Sequence, residues 1–169
     1  MSKKIFKNDK IFLAGSKGMV GSAIKRNLKK NGYGETSKGG DLITPDRSDL
    51  DLTNYSDVKA WFNINTPDVV IIAAAEVGGI MANSSRPTDF ILNNLKIQTN
   101  IIENAWKYKT RRLLFLGSSC IYPKYSKQPI KEEELMSGYL EPTNESYALA
   151  KIVGIRLCAN LREQHNLDT

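Results

Sequence analysis

The sequence has few of the residues that build disulfide, metal or membrane sites. Its 169 residues include two cysteines, Cys120 and Cys158, and one histidine, His165. Two cysteines cannot form a disulfide framework, and this set is too small for a zinc site, so we expect no metal. No apolar run approaches the roughly 20 residues of a membrane span, and residues 1–7 are basic without the apolar core of a signal peptide. These features predict a reduced, cytoplasmic protein without a membrane partner.

The net charge is positive, but the basic residues are scattered. Lysine and arginine number 24 against 18 acidic residues, giving +6 at pH 7. Basic pairs such as Lys29-Lys30 and Arg111-Arg112 fall on predicted helix ends and connections. Nucleic-acid binding requires a basic patch, so we interpret the excess as a solvated surface and expect no nucleic-acid partner. An anionic nucleotide ligand would also suit this field.

Apolar segments alternate with amphipathic ones along the chain, which is long enough for one domain with a core. The predicted strands are 10–14, 41–44, 68–75 and 112–116. The predicted helices are about 20–30, 55–64 (with Asn54 as N-cap), 93–107 and 145–164. Continuous apolar strands separated by helices indicate an α/β fold of Rossmann type, a parallel sheet with helices on both faces. The long polar connection 123–144 is a candidate functional segment.

A glycine-rich turn follows the first predicted strand. Gly15, Gly18 and Gly21 lie in the run Gly-Ser-Lys-Gly-Met-Val-Gly, which opens the first predicted helix. Glycines allow backbone amides to approach a pyrophosphate, and a helix N-terminus favours its negative charge. The turn therefore predicts a dinucleotide site.

Two cations near this turn bear on which dinucleotide binds. An NAD enzyme usually places a carboxylate after the second strand to hold the ribose diol, and Asp46 lies there. Lys17 and Arg47 lie close by as well, and two cations suit the 2′-phosphate of NADP. We therefore predict NADP rather than NAD, with a solvent-facing Arg47 as the alternative.

Tyr147 and Lys151 form a Tyr-x-x-x-Lys pair on the last predicted helix. Residues four apart share a helix face, so the ammonium can lower the pKa of the phenol and make it a usable acid. Ser118, upstream, offers a hydroxyl to orient a carbonyl group. The pair alone is common on ordinary helix surfaces, and it gains meaning from Ser118 and the glycine turn.

Five sequence runs resemble the extended short-chain dehydrogenase/reductase family; they are residues 14–24, 73–80, 113–124, 140–145 and 147–155. The glycine turn and Tyr-x-x-x-Lys mark the whole superfamily. The runs Val-Gly-Gly-Ile and Gly-Ser-Ser-Cys-Ile-Tyr-Pro are more particular. They are similar to members that convert GDP-4-keto-6-deoxy-D-mannose to GDP-L-fucose.

The resemblance implies epimerisation at C3 and C5 of the sugar, followed by reduction of the C4 ketone with NADPH. Cys120 matches the epimerisation acid/base, and its thiol is a plausible proton donor. Ser118 matches the group that polarises the ketone. Tyr147 matches the proton donor, and Lys151 would lower its pKa and hold the nicotinamide ribose. A small buried hydrophobic role is the alternative for Cys120.

The resemblance also implies the cofactor contacts and a homodimer formed through two helices. The glycine turn would hold the pyrophosphate, one segment would surround the adenosine, and another would pass beside the nicotinamide. The cofactor residues are Gly15, Ser16, Lys17, Gly18, Met19, Val20, Gly21, Arg47, Ser48, Asp49, Leu50, Asp51, Leu52, Leu116, Gly117, Ser118, Ser119, Tyr147 and Lys151.

The resemblance covers only the first half of the family's length. We therefore expect residues 1–169 to be an NADP-binding Rossmann domain truncated at its C-terminal end, without the last strands, the substrate domain and the second epimerisation acid/base. Alone, it should bind NADP weakly, self-associate along the open edge at 113–116 and not turn over a GDP-sugar. We interpret His165 as a surface loop residue and give it no catalytic role.

Two other functions stay open. One is a different family member acting on nucleotide sugars, a 4-epimerase or a dehydratase. A dehydratase usually needs an acidic residue beside the catalytic hydroxyl, and residues 118–120 contain none. The other is a catalytically inactive NADP-binding module.

Overall fold

The computed structural model describes residues 4–169, and a four-stranded parallel sheet lies at its centre. The strands are β1 (Lys10–Ala14), β2 (Asp41–Ile43), β3 (Val69–Ile72) and β4 (Arg112–Phe115). Their order in the sheet is β2-β1-β3-β4. Five α-helices connect or follow them: α1 (Met19–Lys30), α2 (Tyr55–Asn65), α3 (Ile80–Ser85), α4 (Pro87–Lys107) and α5 (Glu145–His165). The predicted Rossmann-type parallel sheet is confirmed.

Both faces of the sheet are covered. On one face, Phe12 of β1 and Val70 of β3 pack with Phe62 of α2 and Ile101 of α4. On the other face, Ile11 and Leu13, which alternate with Phe12 along β1, pack with α1. Successive side chains of a strand point to opposite faces, so a strand with two covered faces is apolar at every position.

Several element boundaries differ from those predicted. Strand β3 ends at Ile72, so residues 73–75 leave the sheet. Helix α4 begins at Pro87, six residues earlier than expected, because a proline suits the first position of a helix. The short helix α3 was not predicted. Val20, in the first turn of α1, is 46% exposed.

The predicted N-cap of α2 is confirmed. The side-chain oxygen of Asn54 accepts hydrogen bonds from the amides of Ser56 (2.9 Å) and Asp57 (3.4 Å). These bonds satisfy two of the amides that a helix leaves unpaired at its start.

The chain begins to pair with the outer edge of β4 near its last residues. Asp168 forms an isolated parallel bridge with Arg112, and its carbonyl accepts from the Leu113 amide at 2.8 Å. The edge that sequence reasoning expected to be open is therefore paired at Leu113. His165 is exposed, as predicted, but it is the last residue of α5 and not part of a loop. Its ring lies 4.5 Å from that of Trp106.

Within residues 4–169, no helix has both the length and the apolar character that a bilayer crossing demands.

Candidate active site

Two glycines of the turn, Gly15 and Gly21, have no room for a side chain. Gly15 follows β1 with φ +82°, and a Cβ there would lie 2.6 Å from the Ala74 amide nitrogen. A Cβ on Gly21 would lie 2.0 Å from the carbonyl oxygen of Gly15. The first position needs a left-handed backbone and the second needs close contact between helix and turn, and glycine supplies both.

The start of α1 is suited to an anion. Gly18 is its N-cap, with no capping side chain, and the first turn contains no acidic residue. The free amides and the helix dipole of a 12-residue helix therefore favour negative charge at this point. These amides and the glycine turn, residues 15–21, form a cradle that fits a dinucleotide pyrophosphate.

The two cations assigned to a 2′-phosphate come from different segments: Lys17 from the glycine turn, and Arg47 from the loop that follows β2. Lys17 Nζ forms an ion pair with Asp46 Oδ2 at 2.6 Å, and the Lys17 side chain is 78% exposed. Arg47, next to Asp46 in the loop after β2, is exposed. The structure thus places Lys17 beside the predicted adenosine segment, but its partner is a carboxylate that sequence reasoning considered only for a ribose diol.

The predicted adenosine segment, 47–52, turns inward at its end. Ser48 and Asp49 are exposed, whereas Leu50 is buried in the core and Leu52 packs against it. The Leu52 carbonyl accepts a hydrogen bond at 3.0 Å from the buried Asn100 amide of α4. The two leucines therefore anchor this segment to the core.

The structure brings three of the predicted catalytic side chains together at the carboxyl end of β4. A 3₁₀ turn over Ser119–Ile121 follows this strand, and Ser118 Oγ accepts from the Cys120 amide at 3.3 Å. Tyr147 lies in the first turn of α5. The Ser118 hydroxyl hydrogen-bonds the Tyr147 phenol, and Cys120 is close enough to interact with it electrostatically.

The pKa of the Tyr147 phenol is raised in this setting. Burial is the largest cause, the hydrogen bond with Ser118 acts in the opposite direction, and the nearby Cys120 raises the pKa further. The role predicted for Lys151, lowering this pKa, stays a prediction. Lys151 Nζ lies 5.9 Å from the centre of the Tyr147 ring and donates elsewhere.

Lys151 is a buried cation held against β4. The residue is 4% exposed, its Nζ donates to the Leu116 carbonyl at 3.0 Å, and it lies 4.7 Å from the centre of the Phe115 ring. Burial lowers the pKa of Lys151 to about 8. The segment predicted to border the nicotinamide, 116–119, is thus tied directly to this lysine.

Residues 11–169 match the family model described as the NAD dependent epimerase/dehydratase family. The chain belongs to this family. A protein of Arabidopsis thaliana named Putative GDP-L-fucose synthase 2 is 52% identical, over 96% of this chain and 48% of the relative. The GDP-L-fucose synthase of Escherichia coli K12 is 48% identical, over 94% of this chain and 48% of the relative. The predicted resemblance is confirmed.

A solved structure gives a similar picture. The GDP-mannoheptose C4 reductase of Campylobacter jejuni, with NADP bound, superimposes with a TM-score of 0.90 at 36% identity, over 96% of this chain and 50% of that chain. The chain spans about half the length of the curated relatives it matches.

Sequence reasoning missed the buried amide side chains of α4 that hold segments of this epimerase/dehydratase site. Asn94 accepts from the Glu76 amide at 2.9 Å and donates to the Glu76 carbonyl at 2.9 Å, which fixes the loop after β3. Asn100 fixes Leu52, and Gln98 reaches α5. The available signal was the density of amide side chains in an otherwise apolar helix.

Proposed function

We propose that this chain supplies the cofactor-binding and proton-transfer residues of an enzyme that converts GDP-4-keto-6-deoxy-D-mannose to GDP-L-fucose with NADPH. The observation that carries the proposal is the meeting of Ser118, Cys120 and Tyr147 at the carboxyl end of β4. A reductase needs the hydroxyl and the phenol, and an epimerase needs a further proton donor, here the thiol. The names of the Arabidopsis and E. coli relatives support this substrate.

NADP fits the residues present. The turn from Gly15 to Gly21 would hold the pyrophosphate, and segment 116–119 would lie beside the nicotinamide with Lys151. Bound NADPH supplies hydride to a ketone carbon. Lys17 and Arg47 would hold the 2′-phosphate, which would compete with Asp46 for Lys17. The NADP bound to the Campylobacter reductase supports this choice.

In the reduction, the ketone oxygen gains negative charge and must receive a proton. Ser118 Oγ accepts from the Cys120 amide, and its O–H group, which interacts with Tyr147 in this structure, would donate to that oxygen instead. The Tyr147 phenol, whose pKa is raised from 10.0 chiefly by burial, holds its proton at neutral pH and would give it to the developing alkoxide. Lys151, held by Leu116, places a donor on the cofactor side of this phenol.

In the epimerisation, the C4 ketone makes the adjacent C3–H and C5–H bonds acidic. Removing one of these protons gives an enolate, whose oxygen would be stabilised by donors from Ser118 and Tyr147. Cys120 would deliver a proton from its thiol to the carbon and so invert it. Inversion removes a proton on one face and adds one on the other, so a second acid/base beside Cys120 is required.

Two variants separate these roles in the protein extended to the length of its relatives. Tyr147→Phe should abolish hydride transfer while C3 and C5 still exchange with deuterium from solvent. Cys120→Ser should slow this exchange by about 10²–10⁴-fold while an already epimerised ketone is still reduced. NMR of the sugar in D₂O measures exchange, and NADPH absorbance measures reduction. If Cys120→Ser exchanged deuterium at C3 and C5 at the wild-type rate, the thiol would have only a packing role.

The alternative functions predict other outcomes. A UDP-hexose 4-epimerase or a dehydratase would turn over its own nucleotide sugar and not the GDP-linked ketone. The absence of an acidic side chain in residues 118–120 counts against a dehydratase. An inactive NADP-binding module would bind NADPH without any turnover, whether or not a C-terminal partner chain is added.

We also infer a homodimer formed through α4 and α5, in the cytoplasm. These helices pack on each other, and Leu92, Leu149 and Val153 on them remain 41–48% exposed. Two such faces would cover each other in a symmetric pair. Light scattering of wild-type and Leu149→Lys/Val153→Lys protein tests this, because the double variant should be monomeric.

The unbonded state of both cysteines agrees with a reducing compartment such as the cytoplasm.

A further inference from the structure

Gln98 connects α4 with the turn of α5 that carries Lys151. Its side chain is 2% exposed, and its Nε2 donates to the Ala150 carbonyl at 2.6 Å. Ala150 immediately precedes Lys151, so the hydrogen bond reaches the residue next to the buried cation. A carbonyl has two lone pairs, and a helical carbonyl can accept from a side chain in addition to its helical partner.

The same glutamine lies beside the ring on which Lys151 rests. A Cβ on Gly154 would meet the Phe115 ring at 2.5 Å and Gln98 Oε1 at 3.0 Å. Gly154, one turn beyond Ala150, therefore lets Phe115 and Gln98 both press against α5. Lys151 Nζ is 4.7 Å from the centre of that ring and donates to Leu116, the residue after Phe115. Gln98 and Phe115 thus meet at Gly154, and the ring of Phe115 lies near the Lys151 ammonium.

We propose that Gln98 is a positioning residue for Lys151. It fixes the position of α5 along α4, and this position keeps the Lys151 ammonium hydrogen-bonded to the Leu116 carbonyl. The hydrogen bond crosses from one helix to another, between residues 52 positions apart. Helices that pack only by apolar contact can slide, whereas this bond fixes one turn of α5 against one turn of α4. The catalytic consequence rests on the proposed function, but the position of Lys151 does not.

A buried amide on the same helix supplies a matched control. Asn104 is fully buried in α4, and its Nδ2 donates to the Asn100 carbonyl of its own helix. Replacing either amide with an apolar residue of similar size removes one buried hydrogen bond. Only the Gln98 bond leads to α5.

The test follows the ionisation of Lys151 by NMR after biosynthetic labelling with [ε-¹³C]lysine, with Lys151→Met to assign the signal. The wild-type should titrate near pH 8, since burial lowers the pKa of Lys151 to about that value. Gln98→Met should let α5 shift and water reach the ammonium, which moves the pKa upward towards 10.5. The titratable groups nearby are Tyr147, on the same helix, and Cys120 beside it.

Asn104→Leu should leave the Lys151 titration unchanged, and circular dichroism verifies that each variant is folded. If Gln98→Met does not fold, Gln98→Asn keeps an amide that is one methylene too short to reach Ala150 and should raise the pKa in the same way. An unchanged titration in the folded Gln98 variant would overturn the proposal, as would equal shifts in the Gln98 and Asn104 variants. Because no turnover is needed, these results are independent of the proposed reaction.

Discussion

Replacing Gly21 with alanine tests the architecture of the cofactor cradle. Gly21 lies inside α1, where alanine is favoured over glycine by about 1 kcal/mol of helix propensity. Against this, the new Cβ would lie 2.0 Å from the Gly15 oxygen and 2.8 Å from the Gly15 carbonyl carbon. Both are backbone atoms of a turn, which cannot rotate away as a side chain could.

The clash outweighs the gain in propensity. The turn or the helix must move by about 1 Å or more to restore contact distance, and overpacking of this kind costs about 1–3 kcal/mol or more. Set against the gain of about 1 kcal/mol, this cost gives a net loss of up to about 2 kcal/mol in the free energy of unfolding. The amides of the cradle should also lose their alignment, weakening NADPH binding at least about tenfold, or 1.4 kcal/mol.

Urea denaturation and a fluorescence titration with NADPH measure the two effects. Gly79→Ala is the matched control, because a Cβ there meets nothing within 4 Å and its φ is −71°. It should change the free energy of unfolding by no more than about 0.5 kcal/mol. A Gly21→Ala protein that is more stable than wild-type and binds NADPH unchanged would refute the reasoning.

Three further predictions follow from the site and its surroundings. NADPH should bind more tightly than NADH, and Lys17→Ala/Arg47→Ala should remove most of the difference, each lost contact costing about 1.5–3 kcal/mol; equal affinities in the wild-type would contradict the assignment. Stability should rise between about pH 8 and 10.5 because the folded Lys151 loses its proton before the unfolded one does; Lys151→Met should abolish that rise in urea melts. A thiol reagent should label only Cys120 in the folded protein and both cysteines after unfolding, since burial raises the pKa of Cys158 to about 11; rapid labelling of Cys158 in native buffer would disagree.

Local sequence signals predicted the elements whose causes are local. The strands around Phe12 and Val70 are continuous apolar runs, the turn at Gly15 needs a left-handed backbone, and Asn54 caps its own helix. These features depend on a few neighbouring residues, so the chain alone reveals them. The cofactor turn and the Tyr147–Lys151 helix were therefore placed correctly on the fold.

The contacts that were missed link distant parts of the chain. Gln98 and Asn100 look like solvated amides until the partners Ala150 and Leu52, 52 and 48 residues away, are brought to α4. The pKa of Tyr147 depends in the same way on how deeply the phenol is buried, which spacing along a helix cannot show. Lys17 can form an ion pair with Asp46 only because β1 and β2 are parallel and end at the same edge of the sheet.

The strand order has a consequence for how the chain folds. Strand β1 is made first but lies between β2 and β3, and its residue Ile11 pairs with Val69. Among residues 4–169, no strand pairs with a neighbour through a hairpin, so every pairing of β1–β4 must close a loop that includes a helix. Such non-local contacts form slowly, and the apolar β1 stays uncovered until β3 arrives. During synthesis, the interval between these two strands is when the chain is most open to aggregation.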